Sequence, residues 1–135
     1  MGPSGQQDGP QSGQMPRVLV VDADARSLEM LAVALLDSGF AVRTAASAME
    51  ALVEARKRPP SLILSDIAMP GVDGFELCAA FRGDPGLGSV PIVLLAGGQS
   101  DPRLRERGAT AGASDYLTKP VDLPQLVRVI RSLSA

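Results

Sequence analysis

The chain has 135 residues, a formal net charge of −2, and neither His nor Trp. Its length suits one domain with a core of its own. The lack of a basic excess argues against a nucleic-acid surface, and the lack of His argues against zinc or imidazole acid–base chemistry. The single cysteine, Cys78, cannot form an intramolecular disulfide, and we interpret it as a buried, reduced thiol.

Residues 1–15 are expected to be a flexible leader or linker, and residues 16–135 the folded domain. The first 14 residues are almost entirely Gly, Ser, Gln and Pro, with too little apolar surface to offset the entropy of ordering. No apolar run approaches the ~18 residues of a membrane span, and no secretion signal is recognisable. We therefore expect a cytoplasmic protein.

The first half of the folded part contains two strand–helix pairs. The β-branched run from Val18 to Val21 ends in Asp22-Ala23-Asp24, and leucines at helical spacing follow it, Leu36 included, up to Gly39. A weaker strand is predicted at 41–45. Ser47-Ala48-Met49-Glu50 has the spacing of a capping box that opens a second helix, which Pro59-Pro60 ends.

The central run, Leu62 to Ser65, is followed by Asp66, which stands at the start of a turn rich in Pro and Gly. Open α/β sheets build their sites at the carboxyl ends of buried strands, but Asp also commonly caps turns by bonding its own backbone. This stretch alone leaves both roles of Asp66 open. Asp73-Gly74-Phe75-Glu76 then repeats the spacing of a helix cap and begins a third helix.

Two more strand–helix pairs complete the chain. A strand at 91–95 leads through Ala96-Gly97-Gly98 to a fourth helix at about 102–111, whose few large apolar residues predict weak packing and high mobility. A short strand at 114–118 carries the only tyrosine, Tyr116. After Lys119-Pro120, a fifth helix has one apolar side.

Apolar runs that alternate with helices five times indicate a parallel sheet covered by helices on both faces. Right-handed crossovers then bring Asp22, Asp66, Ala96 and Lys119 to one edge of this sheet. No glycine-rich phosphate loop follows the first strand, which disfavours a flavodoxin-like enzyme with a nucleotide cofactor.

Four stretches carry a family resemblance: VLVVD from Val18, SDIAMPGVDGFEL from Ser65, the apolar run at 91–95, and GASDYLTKP from Gly112. Together they resemble the receiver domains of two-component response regulators, and the resemblance covers residues 17–133. It implies an α/β, flavodoxin-like, doubly wound five-stranded parallel sheet in the order 2-1-3-4-5, as in a chemotaxis regulator.

The resemblance implies that Asp66 accepts a phosphoryl group from a sensor histidine kinase or a phosphotransfer protein. It also implies Mg²⁺ as cofactor, with Asp22, Asp66 and the backbone carbonyl of Ala68 as ligands, and Lys119 as the residue that contacts the phosphoryl group. A divalent ion and an ammonium offset the repulsion between a carboxylate nucleophile and phosphoryl oxygens. The plain alternative for Lys119 is a surface lysine. In this family the Lys119–Pro120 peptide bond would be cis.

Two positions depart from the family pattern. Ala23 stands where a second acid usually follows the first strand, so Mg²⁺ binding should be weak. Asp24 could reach inward as a replacement ligand or act as the N-cap of the first helix, the role that we favour. Ala96 replaces the hydroxyl residue that would bond the phosphoryl group. Tyr116 matches the family's aromatic switch residue, although edge packing explains it equally well.

Two functions from different classes fit these residues. The first is a phosphoprotein that switches protein–protein interactions in phosphorelay signal transduction, binding a downstream protein on the face of helix four, strand five and helix five. Such a domain is an enzyme at most in phosphorylating and dephosphorylating itself. The alternative, which Ala23 and Ala96 favour, is a pseudo-receiver acting as a phosphorylation-independent interaction module. Neither reading requires nucleic acid or a membrane as partner.

Overall fold

The computed structural model describes residues 15–98 and 101–134, so the expected leader at 1–14 lies outside the described residues. The strands are β1 (Arg17–Val21), β2 (Ala41–Ala45), β3 (Leu62–Asp66), β4 (Ile92–Ala96) and β5 (Asp115–Thr118). The helices are α1 (Ala25–Asp37), α2 (Ala48–Lys57), α3 (Gly74–Arg82), α4 (Pro102–Ala111) and α5 (Leu123–Ser134).

These strands form one parallel sheet in the order β2-β1-β3-β4-β5, which confirms the fold expected from the sequence. Since every pairing is parallel, all the strands end at the same edge. The site described below lies at that edge, where β1, β3, β4 and β5 deliver their last residues.

Alternate side chains of each strand face different helical layers. In β1, Leu19 and Val21 pack with residues of α2 and α3, whereas Val18 and Val20 pack with α1 and α5. All five residues of β4 are buried. Burial on both faces is the physical reason why the runs 18–21, 62–64 and 92–96 are continuously apolar rather than alternating.

Helix α1 exposes one of its leucines. The leucines at helical spacing lie in α1 as predicted, and among them Leu35 is fully buried, whereas Leu36 is 53% exposed. Successive helical residues are rotated by about 100°, and this rotation carries Leu36 out of the part of α1 that faces the sheet.

The expected side chains cap the helices. In α3, Asp73 and Glu76 form a complete capping box. At α2, Ser47 accepts the backbone N–H of Glu50, but the Glu50 carboxylate accepts from the N–H of Ala46 at 2.8 Å rather than from Ser47. The reciprocal capping box is therefore absent at α2, and the Glu50 carboxylate accepts the N–H of the residue before the cap instead.

Cys78 is free and fully buried, as interpreted from the sequence. Burial raises the pKa of its thiol to about 11, against a lowering effect of Arg82 and a smaller raising effect of Asp73. The thiol therefore stays protonated and unreactive at neutral pH.

Gly108 is the one fully buried residue of α4, and Leu104 and Ala111 pack only partly buried against the core, which agrees with the weak packing expected for this helix. Its mobility stays a prediction. None of the helices in the described ranges combines the length and apolarity needed to cross a bilayer.

The side chain of Arg82, at the end of α3, joins three segments. Its guanidinium donates to the carbonyl of Gly112 from Nε at 2.9 Å and from Nη2 at 2.7 Å. Nη1 donates to the carbonyls of Val90 at 2.7 Å and Gly88 at 3.2 Å. Gly112 is the left-handed C-cap of α4, and a Cβ there would lie 2.7 Å from Arg82 Cγ. Arg82 thus ties α3 to the entry of β4 and to the end of α4.

We expect Arg82→Ala to lower the free energy of unfolding by about 2–3 kcal/mol, because the carbonyls of Val90 and Gly112 lose charged donors. Arg82→Lys should lower the free energy of unfolding by a smaller amount, since an ammonium cannot reproduce the forked geometry of the guanidinium. Urea unfolding followed by circular dichroism measures both changes. Arg128→Ala, on the exposed side of α5, is the matched control and should stay within about 0.5 kcal/mol of wild type. Equal effects at the two arginines would contradict the role of Arg82.

Candidate functional site

Three charged side chains meet at the carboxyl edge of the sheet. Asp22 follows β1, Asp66 ends β3, and Lys119 follows β5. The Lys119 Nζ lies 3.2 Å from Asp66 Oδ1 and 3.8 Å from Asp22 Oδ2. One ammonium therefore pairs with both carboxylates, as the sheet topology predicted, and Lys119 is not a free surface lysine.

Backbone contacts at β4 hold the lysine in place. The Lys119 N–H donates to the Ala96 carbonyl at 2.8 Å, which extends the β4–β5 pairing to the edge of the site. The Lys119–Pro120 peptide bond is cis, as expected. The side chain of Lys119 remains 30% exposed, so its ammonium reaches the carboxylates from the solvent side.

The turn after β3 positions Asp66 through main-chain contacts. The Ile67 N–H donates to the Leu95 carbonyl at 3.1 Å, and the Gly74 N–H donates to the Ile67 carbonyl at 2.9 Å. A Cβ at Gly74 would lie 2.8 Å from both the Asp66 carbonyl oxygen and Ile67 Cα. Only glycine therefore lets the start of α3 abut the strand that carries Asp66.

Gly74 is a site residue that the sequence analysis missed, because it was considered only as part of the helix cap. A glycine as the first residue of a helix has a cost in conformational entropy, and its position eight residues after the strand-end acid was the available signal. Nothing in the sequence shows, however, that the helix approaches the backbone of Asp66 so closely.

Asp22 has an oxygen that a cation would satisfy. The residue is 2% exposed. Its Oδ1 accepts the backbone N–H of Asp24 at 2.9 Å, while Oδ2 has no hydrogen-bond partner among the described residues. A buried carboxylate oxygen without a donor is costly unless positive charge lies beside it. The ammonium of Lys119 is the nearby charge, and a metal ion could supply more.

The other oxygen donors are Asp66 and the backbone carbonyl of Ala68. Ala68 is exposed in the turn after β3, and its carbonyl accepts no backbone hydrogen bond from the described part of the chain. Carboxylate and carbonyl oxygens are the ligands that Mg²⁺ prefers, with water completing its coordination. These donors fit a hard divalent cation, but they form a small set.

Neither residue after Asp22 enlarges this set. Ala23 is exposed and offers no side-chain donor. Asp24 is the N-cap of α1, since its Oδ1 accepts the N–H groups of Arg26 at 3.0 Å and Ser27 at 3.4 Å. This is the role favoured from the sequence. Across residues 15–98 and 101–134, no group of three or more acidic, Cys or His side chains is arranged to hold a metal.

The two expected switch positions lie in the same core cluster as α2 and α3. Ala96 and Tyr116 are each 3% exposed. The Arg105 guanidinium covers the Tyr116 ring at 4.9 Å, and a Cβ at Gly108 would lie 3.4 Å from that ring. The Tyr116 hydroxyl is buried without a partner in the described residues. Ala96 has no hydroxyl group that could bond the hydroxyl of Tyr116. The switch role of Tyr116 stays a prediction.

Comparison with known proteins identifies the relatives of the chain. A sequence model of the response regulator receiver domain matches residues 18–131. The response regulator PleD of Caulobacter vibrioides is 38% identical over 120 residues, which are 87% of this chain and 26% of PleD. The chain thus spans about a quarter of the length of that relative, and the likeness concerns one part of it.

Two solved structures extend this likeness to three dimensions. The chemotaxis protein CheY4 of Vibrio cholerae matches with a TM-score of 0.82 at 32% identity, over 89% of this chain and 99% of that one. The signal receiver domain of a signal transduction histidine kinase from Syntrophus aciditrophicus matches with a TM-score of 0.80 at 32% identity, over 88% and 89% of the two chains.

We expect Gly74→Ala to lower the free energy of unfolding by about 1–3 kcal/mol, because the new methyl group would overlap the backbone at Asp66 and Ile67. Urea unfolding measures this change. The control is Gly86→Ala, where a Cβ would meet only Asp84 Oδ1 at an ordinary 3.7 Å. Helix propensity alone would make alanine at Gly74 neutral or stabilising. A stable Gly74→Ala protein would therefore show that α3 can move away from the site without cost.

Proposed function

The chain belongs to the response regulator receiver domain family, and we propose that Asp66 is its phosphoacceptor. Receiver domains of response regulators accept phosphoryl groups in two-component signalling and interact with histidine kinases or phosphotransfer proteins.

The contact between Asp66 and Lys119 is the observation that carries the proposal. The ammonium lies 3.2 Å from the Asp66 carboxylate, whose side chain is 12% exposed at the open edge of the sheet. Asp22 is paired with the same ammonium, but its side chain is 3% exposed. A phosphoryl donor can therefore reach the carboxylate of Asp66, whereas the carboxylate of Asp22 is buried.

In the proposed transfer, a carboxylate oxygen of Asp66 forms a bond to phosphorus, and the P–N bond of a donor phosphohistidine breaks. The imidazole nitrogen keeps the electron pair of that bond. Lys119 offsets the repulsion between the carboxylate and the phosphoryl oxygens and stays beside the oxygens after transfer. Hydrolysis of the product by water would return Asp66 to the carboxylate. The domain would thus catalyse at most its own phosphorylation and dephosphorylation.

Mg²⁺ is the cofactor that this family uses, and we propose that Asp22, Asp66 and the Ala68 carbonyl hold it, with weak affinity. When bound, the ion supplies positive charge to the phosphoryl oxygens. The small donor set supports weak binding, because water must fill the remaining positions of an octahedral ion.

We propose that a downstream protein reads the state of Asp66 on the face formed by α4, β5 and α5. Two contacts support this placement. Arg105 covers Tyr116, and the Arg107 guanidinium lies 4.4 Å from the centre of the Phe75 ring, so the exposed side of α4 is linked to buried aromatic residues. The one fully buried residue of α4 is a glycine, Gly108, so no large, fully buried side chain holds this helix in place.

Incubation with acetyl phosphate and Mg²⁺, followed by intact-protein mass spectrometry, tests the acceptor. We expect wild type to gain the mass of one phosphoryl group and Asp66→Asn to gain none, because an amide cannot act as the nucleophile. Asp24→Asn is the matched control, since this acid is exposed near the site but engaged in capping, and it should still be phosphorylated.

Two results would contradict the proposal. A phosphoryl group retained by Asp66→Asn would mean that another residue is the acceptor. An unmodified wild type at saturating donor would instead favour the phosphorylation-independent interaction module.

A further inference from the structure

We propose that the chain has a second binding site, at the amino-terminal edge of the sheet, for a small dicarboxylate. A cleft of about 150 Å³ lies there, between the first residues of β1 and β2 and the last turn of α2. Arg17, Arg43, Arg58 and Glu54 line this cleft. Because Asp66 lies at the opposite edge of the sheet, the inference does not depend on the phosphoacceptor proposal.

The pairing of β1 with β2 brings two of the arginines to one side of the sheet. Leu19 is paired with Arg43, and Arg17 stands two residues before Leu19, so these three side chains face the same way. Leu19 is buried and packs with residues of α2 and α3. Arg17 and Arg43 therefore lie on the α2 side of the sheet, next to an apolar surface.

Helix α2 supplies the third arginine through its own periodicity. The buried residues of this helix are Ala48, Ala51 and Ala55. Arg58 follows them at the next helical spacing, directly after the last helical residue. Since α2 ends there, no further turn of the helix covers this end of the sheet, and Arg58 lines the space that is left.

The charges that line the cleft do not cancel. Arg43 Nη1 lies 2.9 Å from Glu54 Oε1 and is paired with it. Arg17 Nη2 donates to the carbonyl of Pro59 at 2.7 Å, which is a neutral acceptor. The guanidinium of Arg58 forms neither an ion pair nor a hydrogen bond with the residues at 15–98 and 101–134. Three guanidiniums and one carboxylate leave two positive charges.

Stabilisation of α2 does not account for the charge of Arg58. Arg56 and Lys57 already complement the negative end of the helix dipole, and they pair with Asp84 at 2.8 Å and with Glu54 at 3.8 Å. Arg58 has no such partner in the described part of the chain. A cleft that is lined by one sign of charge beside apolar walls concentrates counter-ions. The uncompensated charge therefore favours an anion in this cleft.

The lining also indicates the class of anion. A guanidinium binds a carboxylate through two parallel hydrogen bonds, and two excess positive charges match a dianion. Leu19, Ala41 and Pro60 line the rest of the cleft, so a ligand with a carbon body fits better than a bare inorganic ion. The volume equals about five water molecules at about 30 Å³ each, which limits the ligand to a short dicarboxylate such as succinate.

Titration followed by ¹H–¹⁵N NMR at constant ionic strength tests the site with succinate, butyrate and inorganic phosphate as probes. We expect succinate to shift the signals of Arg17, Arg43 and Arg58 to saturation and to leave those of Asp22 and Asp66 unchanged. Butyrate lacks one of the two carboxylates, and phosphate lacks the carbon body. Both should bind at least about tenfold more weakly, which is the effect of losing one charge-assisted hydrogen bond.

Three variants test the roles of the charged side chains. Arg58→Gln should weaken succinate binding at least about tenfold, because one of the charged donors is lost. Glu54→Gln should strengthen it by up to about fivefold, because this carboxylate competes with the ligand for Arg43 in an exposed ion pair. Arg128→Gln, on the exposed side of α5, is the matched control and should bind succinate as wild type does.

The outcomes separate this inference from the proposed function. Equal affinities for the three probes, shifts that do not saturate, or weaker binding to Glu54→Gln would each overturn the inference. Arg58→Gln should still accept a phosphoryl group from acetyl phosphate, and Asp66→Asn should still bind succinate, since about 16 Å of strand separates the two edges at about 3.3 Å per residue. A wild type that binds succinate but accepts no phosphoryl group would overturn the proposed function alone.

Discussion

The ammonium of Lys119 is shared by two carboxylates, and this ion pair depends on the parallel alignment of the sheet. Asp22, Asp66 and Lys119 are far apart in the chain and meet only because β1, β3 and β5 end at one edge. A buried carboxylate such as Asp22 is tolerated when an opposite charge lies close to it. The fold therefore creates the condition under which the site can exist, and the site in turn compensates charges that would otherwise disfavour the fold.

Much of this arrangement could be read from the sequence, for a physical reason. Strands that are buried on both faces are apolar along nearly their whole length. Because Asp66 follows such an apolar run, the sequence alone indicates that it lies at the edge of the sheet. The same logic located Asp22, whereas Lys119, after the short strand β5, was placed at this edge by the right-handed crossovers. Helix caps were also readable where a side chain bonds a backbone group a few residues away, as Asp24 and Asp73 do.

What the sequence could not provide are contacts whose partners are distant in the chain or that depend on small rotations. Arg82 bonds a carbonyl 30 residues away. Gly74 matters because of a 2.8 Å approach to the backbone of another element. Leu36 shares the helical spacing of the leucines before it but is exposed, because in α1 one residue of rotation separates it from the buried Leu35. In each case the residue type is compatible with several environments, and only the packing of whole elements selects one.

The contact between Arg82 and Gly112 has a mechanical consequence for α4. This helix is anchored at its carboxyl end by a forked guanidinium, while Gly108 is its one fully buried residue and Leu104 packs only partly buried against the core. A helix that is held at one end and packed lightly along its length moves most at its other end. Any displacement of α4 would therefore pivot about Gly112 and grow toward Asp101, so the amino-terminal turn would travel farthest while the junction with β5 stayed in register.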